Sequence, residues 1–302
     1  MKKRFLALGL TVALAAASLA ACGGASTKTT EKQTEAGTEK SSEKATEAAK
    51  EEKADSGELR TYKLGVNGSD HEEWEKANEL LQKDNIKLEM VEFSDYVKPN
   101  EALEDGEIDL NAFQTEIYFN NFVKERGYTD LGILAYTQVA PMGIYSSKYK
   151  SLDEATGHLI IAIPNDVTNG GRALKFLEKN GFLTLKKEAG LTPTVMDIEK
   201  YNKDVEIVEM VATQIPASLP DLSFACINNG VAKDAGLTLK NDAIVYEDYK
   251  EPDMKNYWNI IAAKKDRIES EDFQKIKKAY NSDEVKQVIL EHYDGQSIPV
   301  WD

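Results

Sequence analysis

The chain has 302 residues, and its 52 acidic against 37 basic residues give a formal net charge of -15. So large a negative excess argues against proteins that bind nucleic acid through a basic surface, and against attachment to an anionic membrane surface by charge. With only two cysteines, Cys22 and Cys226, a scaffold held together by several disulfides is also excluded.

The first 21 residues have the layout of an export signal peptide. A basic start, Met1–Arg4, precedes the apolar run Phe5–Ala17, which is too short to span a bilayer. Leu19-Ala20-Ala21-Cys22, followed by two glycines, resembles a bacterial lipobox. That resemblance implies cleavage before Cys22 and attachment of several acyl chains, palmitate among them, which together anchor stably. We therefore expect a chain held by its lipid on the extracytoplasmic face of the cell membrane. An ordinary signal peptide with a chance cysteine is the alternative.

Residues 22–58 have the composition of a tether. After the Cys22-Gly23-Gly24 start they consist mostly of Lys, Glu, Thr, Ser and Ala, with no aromatic and no branched aliphatic residue. Such a segment cannot bury enough apolar surface to offset the entropy of ordering it. We predict a disordered tether that lets the following domain, 59–302, stand off the membrane.

In residues 59–302 short apolar runs alternate with amphipathic stretches. The predicted strands are Tyr62–Asn67, Lys87–Phe93, Ile108–Ala112, Met142–Ser146, Leu159–Pro164, Glu206–Val211, Phe224–Ile227, Ala243–Tyr246 and Trp258–Ala263. The predicted helices include Glu72–Asp84, Gly170–Asn180 and Ser270–Tyr280. This alternation indicates an α/β architecture with largely parallel sheets, in which ligands bind at the carboxyl ends of strands.

Several predicted strands run directly into small polar clusters. These clusters are Asn67–His71, Asn111–Thr115, Pro164–Asp166 and Asn228–Gly230. Because strand ends meet at one edge of such a sheet, the clusters together form the candidate site.

The segment Asn169-Gly170-Gly171-Arg172 follows a predicted strand and opens a predicted helix. Backbone donors at a helix start, next to a guanidinium, are suited to binding a carboxylate. The alternative is an Asn cap with a glycine turn and a solvated arginine.

Two further residues fit an amino-acid ligand. The amide of Asn228 both donates and accepts, so it can bind either end of a zwitterion. Phe113 follows a strand end and offers an aromatic wall for an aliphatic or thioether tail, although an isolated Phe usually packs in a core.

No motif in the sequence indicates catalysis, a cofactor or a metal. His71, His158 and His292 have no metal-ligand spacing, and neither a Gly-x-Ser-x-Gly elbow nor a Walker A loop occurs. Cys226 lies in an apolar run and is expected in the core. The carboxylates of Glu72-Glu73, Glu188 and Glu247-Asp248 are scattered and are expected on solvated faces. The sequence therefore predicts a binding protein and not an enzyme.

Many ordered segments resemble the methionine-binding lipoproteins of ABC importers, the NlpA or MetQ type. Those segments are the lipobox, Val91–Tyr96, Pro99-Asn100 through Gly106–Asp109 to Asn111–Gln114, Ala140–Leu152, Ile163–Asp166, Asn169–Leu174 and Cys226–Asn228.

The resemblance implies a two-lobe periplasmic-binding-protein-like α/β fold (type II) with two interlobe crossing segments. One lobe would hold about 59–146 plus 250–302 and the other about 147–249. The implied partners are a methionine-like amino acid and an ABC permease with its ATPase, and the implied state is a monomer.

The resemblance also implies roles for single residues. Arg172 would bind the ligand carboxylate, Asn169 and Asn228 its polar end, and Phe113 and Tyr136 would wall its side chain. Three positions depart from the family pattern: Thr115 replaces a His, Ala140 replaces an acidic residue, and the loop that ends at His71 lacks a Pro-His pair. Thr115 and His71 are therefore expected to shape the pocket.

Other functions stay open from the sequence alone. The same binding role could serve a D-amino acid, a dipeptide or another amino acid through the same Arg172. An extracytoplasmic enzyme on this scaffold, or a surface adhesin that has lost transport, are further alternatives.

Overall fold

The structure, a computed structural model, describes residues 57–301. The predicted signal peptide, Cys22 and the predicted tether up to residue 56 lie outside the described residues. In the part described, no helix is long and apolar enough to cross a membrane.

Strands and helices alternate along most of the described chain. The strands are β1 (Arg60–Asn67), β2 (Ile86–Phe93), β3 (Leu110–Asn111), β4 (Leu131–Val139), β5 (Gly143–Tyr145), β6 (Leu159–Pro164), β7 (Leu183–Leu185), β8 (Ile198–Tyr201), β9 (Val205–Met210), β10 (Phe224–Ile227), β11 (Ala243–Tyr246), β12 (Trp258–Lys264) and β13 (Ile298–Pro299). The helices are α1 (Glu72–Leu81), α2 (Lys98–Asp105), α3 (Glu116–Arg126), α4 (Val167–Lys179), α5 (Ile215–Ser218), α6 (Asn229–Asp234), α7 (Lys265–Ile268), α8 (Glu271–Tyr280) and α9 (Asp283–His292).

The strands form two main sheets, each with its own core. A six-stranded sheet has the order β13-β4-β12-β3-β1-β2, and a five-stranded sheet has the order β11-β5-β10-β6-β9. Leu64 of β1, Trp74 of α1 and Phe273 of α8 are buried together against the first sheet. Leu159 of β6 and Leu174 of α4 are buried together against the second. We call these bodies the first and second lobes, and the expected two-lobe α/β fold is confirmed.

The expectation of largely parallel sheets was wrong, because both sheets are mixed. β1 pairs in parallel with β2 and β3, and β6 pairs in parallel with β9 and β10. In contrast, β12 runs antiparallel to β3 and β4, and β5 runs antiparallel to β10 and β11. β4, β5, β11 and β12 flank the passages between the lobes, where the chain enters a sheet without a crossover helix, and β13 is a further antiparallel strand that pairs with β4.

The chain passes between the two sheets at two places. It leaves the first sheet after Val139 and enters the second at Gly143, then leaves the second after Tyr246 and returns at Trp258. We call residues 140–142 the first crossing and residues 247–257 the second crossing. The first lies a few residues before the expected boundary near 146, because β5 pairs in the second sheet.

Candidate ligand-binding site

A cavity of about 640 Å³ is lined by residues of both lobes. Three polar clusters that follow strand ends contribute to it: Asn67–His71 after β1, Phe113–Thr115 after β3, and Asn228–Gly230 after β10. Asn169 and Arg172 of α4 line it as well. Most of the polar groups predicted to converge therefore do so, as ligand groups do at strand ends in α/β folds.

Arg172 lines this cavity, but part of its guanidinium is already paired. Its side chain is 4% exposed. Nε donates to both carboxylate oxygens of Glu247 at 3.0 and 3.1 Å, and Nη2 donates to Oε2 at 2.5 Å. Nη2 also donates to the Ala140 carbonyl at 2.9 Å, and the guanidinium lies 4.3 Å from the ring centre of Tyr257. All of these hydrogen bonds use Nε or Nη2, so Nη1 has no acceptor among the described residues.

The start of α4 differs from its prediction. The helix begins at Val167 rather than Gly170, and its cap is Asp166, whose carboxylate accepts from the Asn169 backbone nitrogen at 2.8 Å. A carboxylate cap satisfies the first-turn donors of the helix. The backbone nitrogen of Asn169 is therefore already paired, and the first two residues of α4, Val167 and Thr168, are not among those that line the cavity.

The two glycines before Arg172 allow α4 to pack closely. A Cβ on Gly170 would lie 2.7 Å from the Pro164 carbonyl, and one on Gly171 would lie 2.8 Å from the Thr192 backbone. Both contacts are shorter than real Cβ atoms show. Gly170 thus lets α4 approach the end of β6, and Gly171 lets it approach the loop at Thr192, which together set the position of Arg172 at the cavity.

Asn169 and Asn228 form a relay that starts at Asp166. The Asn169 Nδ2 donates to both oxygens of Asp166 at 3.1 and 3.0 Å, so its Oδ1 must face the other way. That Oδ1 accepts from Asn228 Nδ2 at 2.7 Å. The Oδ1 of Asn228 is consequently presented as an acceptor, and it is buried with no donor among the described residues. A ligand ammonium or amide N–H would satisfy it.

Three aromatic rings wall another part of the cavity. Phe113, Tyr96 and Tyr118 all line it, with ring centres 6.0 to 6.2 Å apart. The Tyr118 hydroxyl donates to the Tyr96 carbonyl at 2.9 Å. Such a wall suits an apolar ligand tail, and of its three rings only Phe113 was expected from the sequence.

A buried amide network holds the segment that carries Phe113. Asn100 and Gln114 exchange two hydrogen bonds of 2.7 Å, and Gln114 Nε2 also donates to Asn111 Oδ1 at 2.8 Å. All three side chains are buried. Fully paired networks of this kind fix local geometry. Asn100, Asn111 and Gln114 therefore have a structural role, which is to hold the segment that carries Phe113.

Tyr136 is not among the residues that line the cavity. Its hydroxyl donates to Glu116 at 2.9 Å and its ring packs edge-on against Trp258 with centres 5.7 Å apart. It lies on β4, whose next two residues, Thr137 and Gln138, line the cavity instead. Tyr96 and Tyr118 take the place that was expected for it.

Thr115 and His71 both line the cavity, and each directly precedes a helix. The Thr115 hydroxyl caps α3 by accepting from Tyr118 N at 3.3 Å. His71 precedes α1, and its Nε2 donates to the Gly68 carbonyl at 2.9 Å, which requires a proton on that nitrogen.

Charged side chains lie around Glu73, and one of them, Lys233, belongs to the second lobe. Lys233 of α6 lies 3.4 Å from Asp70 and 4.4 Å from the ring centre of Tyr293, both in the first lobe. The Tyr293 hydroxyl donates to Glu73 at 2.5 Å. Burial raises the pKa of Glu73, although the hydrogen bond from Tyr293 and the charges of Lys233 and His71 act in the opposite direction.

The expected solvated carboxylates Glu73 and Glu247 are therefore buried. Each has a specific partner in the fold, Tyr293 for Glu73 and Arg172 for Glu247. A charge run in sequence does not reveal such long-range pairing. Cys226, in contrast, is buried in β10 as predicted. Among residues 57–301, no three His, Cys, Asp or Glu side chains are grouped to hold a metal ion.

Comparison with known proteins adds to this geometry. Residues 62–301 match the model of the NlpA lipoprotein family. The D-methionine-binding lipoprotein MetQ of Escherichia coli strain K12 is 40% identical over 243 residues, which is 79% of this chain and 88% of the relative.

Two solved structures are also similar over most of the described chain. A nutrient-binding protein from Burkholderia cenocepacia bound to methionine is 35% identical with a TM-score of 0.75, covering 80% of this chain and 100% of that one. The substrate-binding protein of a methionine transporter from Streptococcus pneumoniae is 38% identical with a TM-score of 0.75, covering 80% and 96%. The resemblance drawn from the sequence is confirmed, and the chain belongs to the NlpA lipoprotein family.

Proposed function

We propose that this chain is the lipid-anchored, extracytoplasmic substrate-binding component of an ABC importer for methionine or a closely related amino acid. One observation carries the proposal: in one cavity, the hydrogen bonds of Arg172 to described residues use only Nε and Nη2, which leaves Nη1 as a donor, and the acceptor Oδ1 of Asn228 is buried with no donor among those residues. A zwitterionic amino acid supplies a carboxylate for the first and an ammonium for the second.

The aromatic wall supports the choice of an apolar or thioether side chain. Sulfur and aliphatic groups pack favourably on rings such as Phe113 and Tyr96. The names of the relatives from Escherichia coli, Burkholderia cenocepacia and Streptococcus pneumoniae agree with methionine.

In this proposal the two lobes close on the ligand about the two crossings, and the closed form docks on the permease. Cys22 carries the lipid, residues 22–58 act as the tether, and the chain acts as a monomer without a cofactor. The relatives named here are binding proteins and transporter components, so we propose stoichiometric binding without turnover.

A different ligand has its own support. Asn67 and Asn229 also line the cavity with buried Oδ1 atoms that lack a donor in the described part of the chain. Their Nδ2 groups donate to backbone carbonyls, which fixes the oxygen as the outward atom. A ligand with further N–H groups, such as a dipeptide, would satisfy them.

A thermal-shift screen distinguishes these ligands. The protein is stripped of bound ligand by unfolding and refolding, then heated with each L-amino acid, D-methionine, methionine sulfoxide and methionine-containing dipeptides. The proposal predicts the largest rise in melting temperature with L- or D-methionine. A larger rise with a dipeptide would assign the alternative ligand, and no rise with any amino acid would overturn the proposed function.

A further inference from the structure

Arg172 is held by atoms from both crossings. Its Nη2 donates to the carbonyl of Ala140 in the first crossing at 2.9 Å. Its guanidinium stacks on Tyr257 and pairs with Glu247, both in the second crossing. Arg172, which lines the cavity, thus also contacts both crossings.

Glu247 is the other centre of this cluster. It is 9% exposed and is the first residue after β11. Its Oε2 accepts from the Met142 backbone nitrogen at 2.7 Å and from Arg172 Nη2, while its Oε1 accepts from Arg172 Nε at 3.0 Å. One carboxylate therefore links the first crossing, the second crossing and the cavity-lining arginine.

The pattern of these bonds determines which donors remain. Nε and both N–H groups of Nη2 are used by Glu247 and Ala140. Glu247 binds the edge of the planar guanidinium that carries Nε and Nη2, and Nη1 lies outside that edge. Because Arg172 lines the cavity, Nη1 is the nitrogen that remains available to a ligand.

We propose that Glu247 is a positioning residue, which holds Arg172 in its ligand-binding orientation and ties it to both crossings. The proposal rests on the function proposed above. In the unliganded protein the pair spares Arg172 the cost of an unpaired buried charge, so the guanidinium is oriented before the ligand arrives. A ligand carboxylate then binds a group already joined to the segments about which the lobes move.

Glu247→Gln tests this role at constant side-chain volume. Glutamine has one acceptor oxygen and one NH₂ group, whereas Glu247 uses both oxygens as acceptors. In either amide orientation, a donor faces Nε–H of Arg172 or N–H of Met142. Each orientation therefore loses at least one of the hydrogen bonds that orient the guanidinium or tie it to the first crossing, while the packing volume is kept.

Glu251→Gln is a matched control. Glu251 lies on the same second crossing and forms an ion pair with Lys179 of the same helix α4. Both partners are about half exposed and neither lines the cavity. A general effect of removing an ion pair between α4 and the second crossing would appear in both variants, whereas a positioning effect would appear only at Glu247.

The full-length chain is purified in detergent, stripped of ligand, checked for folding by circular dichroism, and titrated with L-methionine. L-Methionine amide, which lacks the carboxylate, is measured by displacement of methionine at millimolar concentration. For Glu247→Gln we expect methionine binding weaker by about tenfold to a hundredfold, the loss of one charge-assisted hydrogen bond. The affinity for the amide should be unchanged, and Glu251→Gln should bind both ligands as the unaltered chain does.

The other outcomes overturn the inference in different ways. Equal losses for methionine and its amide would mean that Glu247 only supports the fold. Unchanged methionine binding in Glu247→Gln would mean that Arg172 is positioned without it. If the unaltered chain binds neither methionine nor any other amino acid of the thermal-shift screen, the proposed function itself fails and this inference fails with it.

Discussion

Asn228 donates its side-chain Nδ2 to Oδ1 of Asn169 across 2.7 Å, although 59 residues separate the two in the chain. Because Asn169 is itself oriented by Asp166, the amide of Asn228 has a defined direction with its oxygen as an unpaired acceptor. Asp166, which is joined to Asn228 only through Asn169, thus sets the direction in which the Asn228 oxygen points.

Asp166→Ser should weaken amino-acid binding while leaving the helix intact. Serine is a strong N-cap, so α4 keeps a side-chain acceptor for the Asn169 backbone nitrogen. It has one oxygen, however, and cannot also hold Asn169 Nδ2 as the two oxygens of Asp166 do. We expect affinity lower by about tenfold, the value of roughly one hydrogen bond to a charged group, in a calorimetric titration with methionine. A loss of helix stability with unchanged affinity would contradict the relay.

Lys233→Ala should favour opening of the cleft. Lys233 of the second lobe contacts Asp70 and the ring of Tyr293 in the first, and it is only partly exposed. Removing a partly buried contact of this kind costs about 1 kcal/mol, or roughly fivefold in ligand affinity. Small-angle X-ray scattering of the unliganded variant should show a larger radius of gyration.

Lys240→Ala is the control for that variant. Lys240 also bridges the lobes, to Asp294, but the two side chains are 69% and 71% exposed. Exposed pairs contribute little, so its scattering and affinity should match those of the unaltered chain. Equal opening in both variants would mean that net charge, and not the Lys233 contact, controls closure.

Glu73→Gln should stabilise the protein at neutral pH and lose this effect in acid. Burial raises the pKa of Glu73 above its ordinary value of 4.5. At pH values between 4.5 and the raised pKa, the folded state therefore binds more protons than the unfolded state. The free energy of unfolding therefore falls as pH rises from 4.5 through the raised pKa. Glutamine has no such dependence and still accepts from the Tyr293 hydroxyl.

The melting temperatures of both proteins, measured from pH 4 to pH 8, check this sign. The difference between variant and unaltered chain should grow as pH rises. Glu79→Gln on the same helix, where the side chain is 63% exposed, should show no such growth. A variant that is less stable at pH 8 than at pH 4, relative to the unaltered chain, would contradict the expected direction.

The secondary structure was predictable where apolar runs ended in strong local signals. β6 was predicted at its observed bounds, and β10 and β11 likewise, because each is a short apolar run bounded by polar or turn residues. β4 was missed, although it lies between β12 and β13 in the first sheet. Register shifts in its pairing with β12 break the two-residue alternation that identifies a strand from sequence.

The candidate site was predictable in part for a similar reason. Arg172, Asn169, Asn228 and Phe113 follow strand ends, and strand position is a local signal. The buried position of Glu247 was missed because it depends on pairing with Arg172, 75 residues away. Tyr136 was expected in the wall, but its side chain pairs with Glu116 and Trp258 instead. Pairings over such distances depend on how the two lobes pack.

Cys22→Ala should release the protein from membranes. With no thiol for lipid attachment, the remaining acidic chain has no electrostatic attraction to an anionic surface. Fractionation of cells that express each version checks this: the unaltered chain should sediment with membranes, and the variant should be secreted or soluble. Retention of the variant in the membrane fraction would contradict the proposed anchor.

The central claim is that Arg172 anchors the carboxylate of a methionine-like ligand. A calorimetric titration of L-methionine into the unaltered chain and into Arg172→Ala, both stripped of ligand and folded, tests it directly. We predict one-to-one binding that is weakened about a hundredfold or more in the variant, since loss of one partner of a buried charge pair costs about 2–5 kcal/mol. Equal binding by both proteins would contradict it, because the carboxylate would then be held elsewhere.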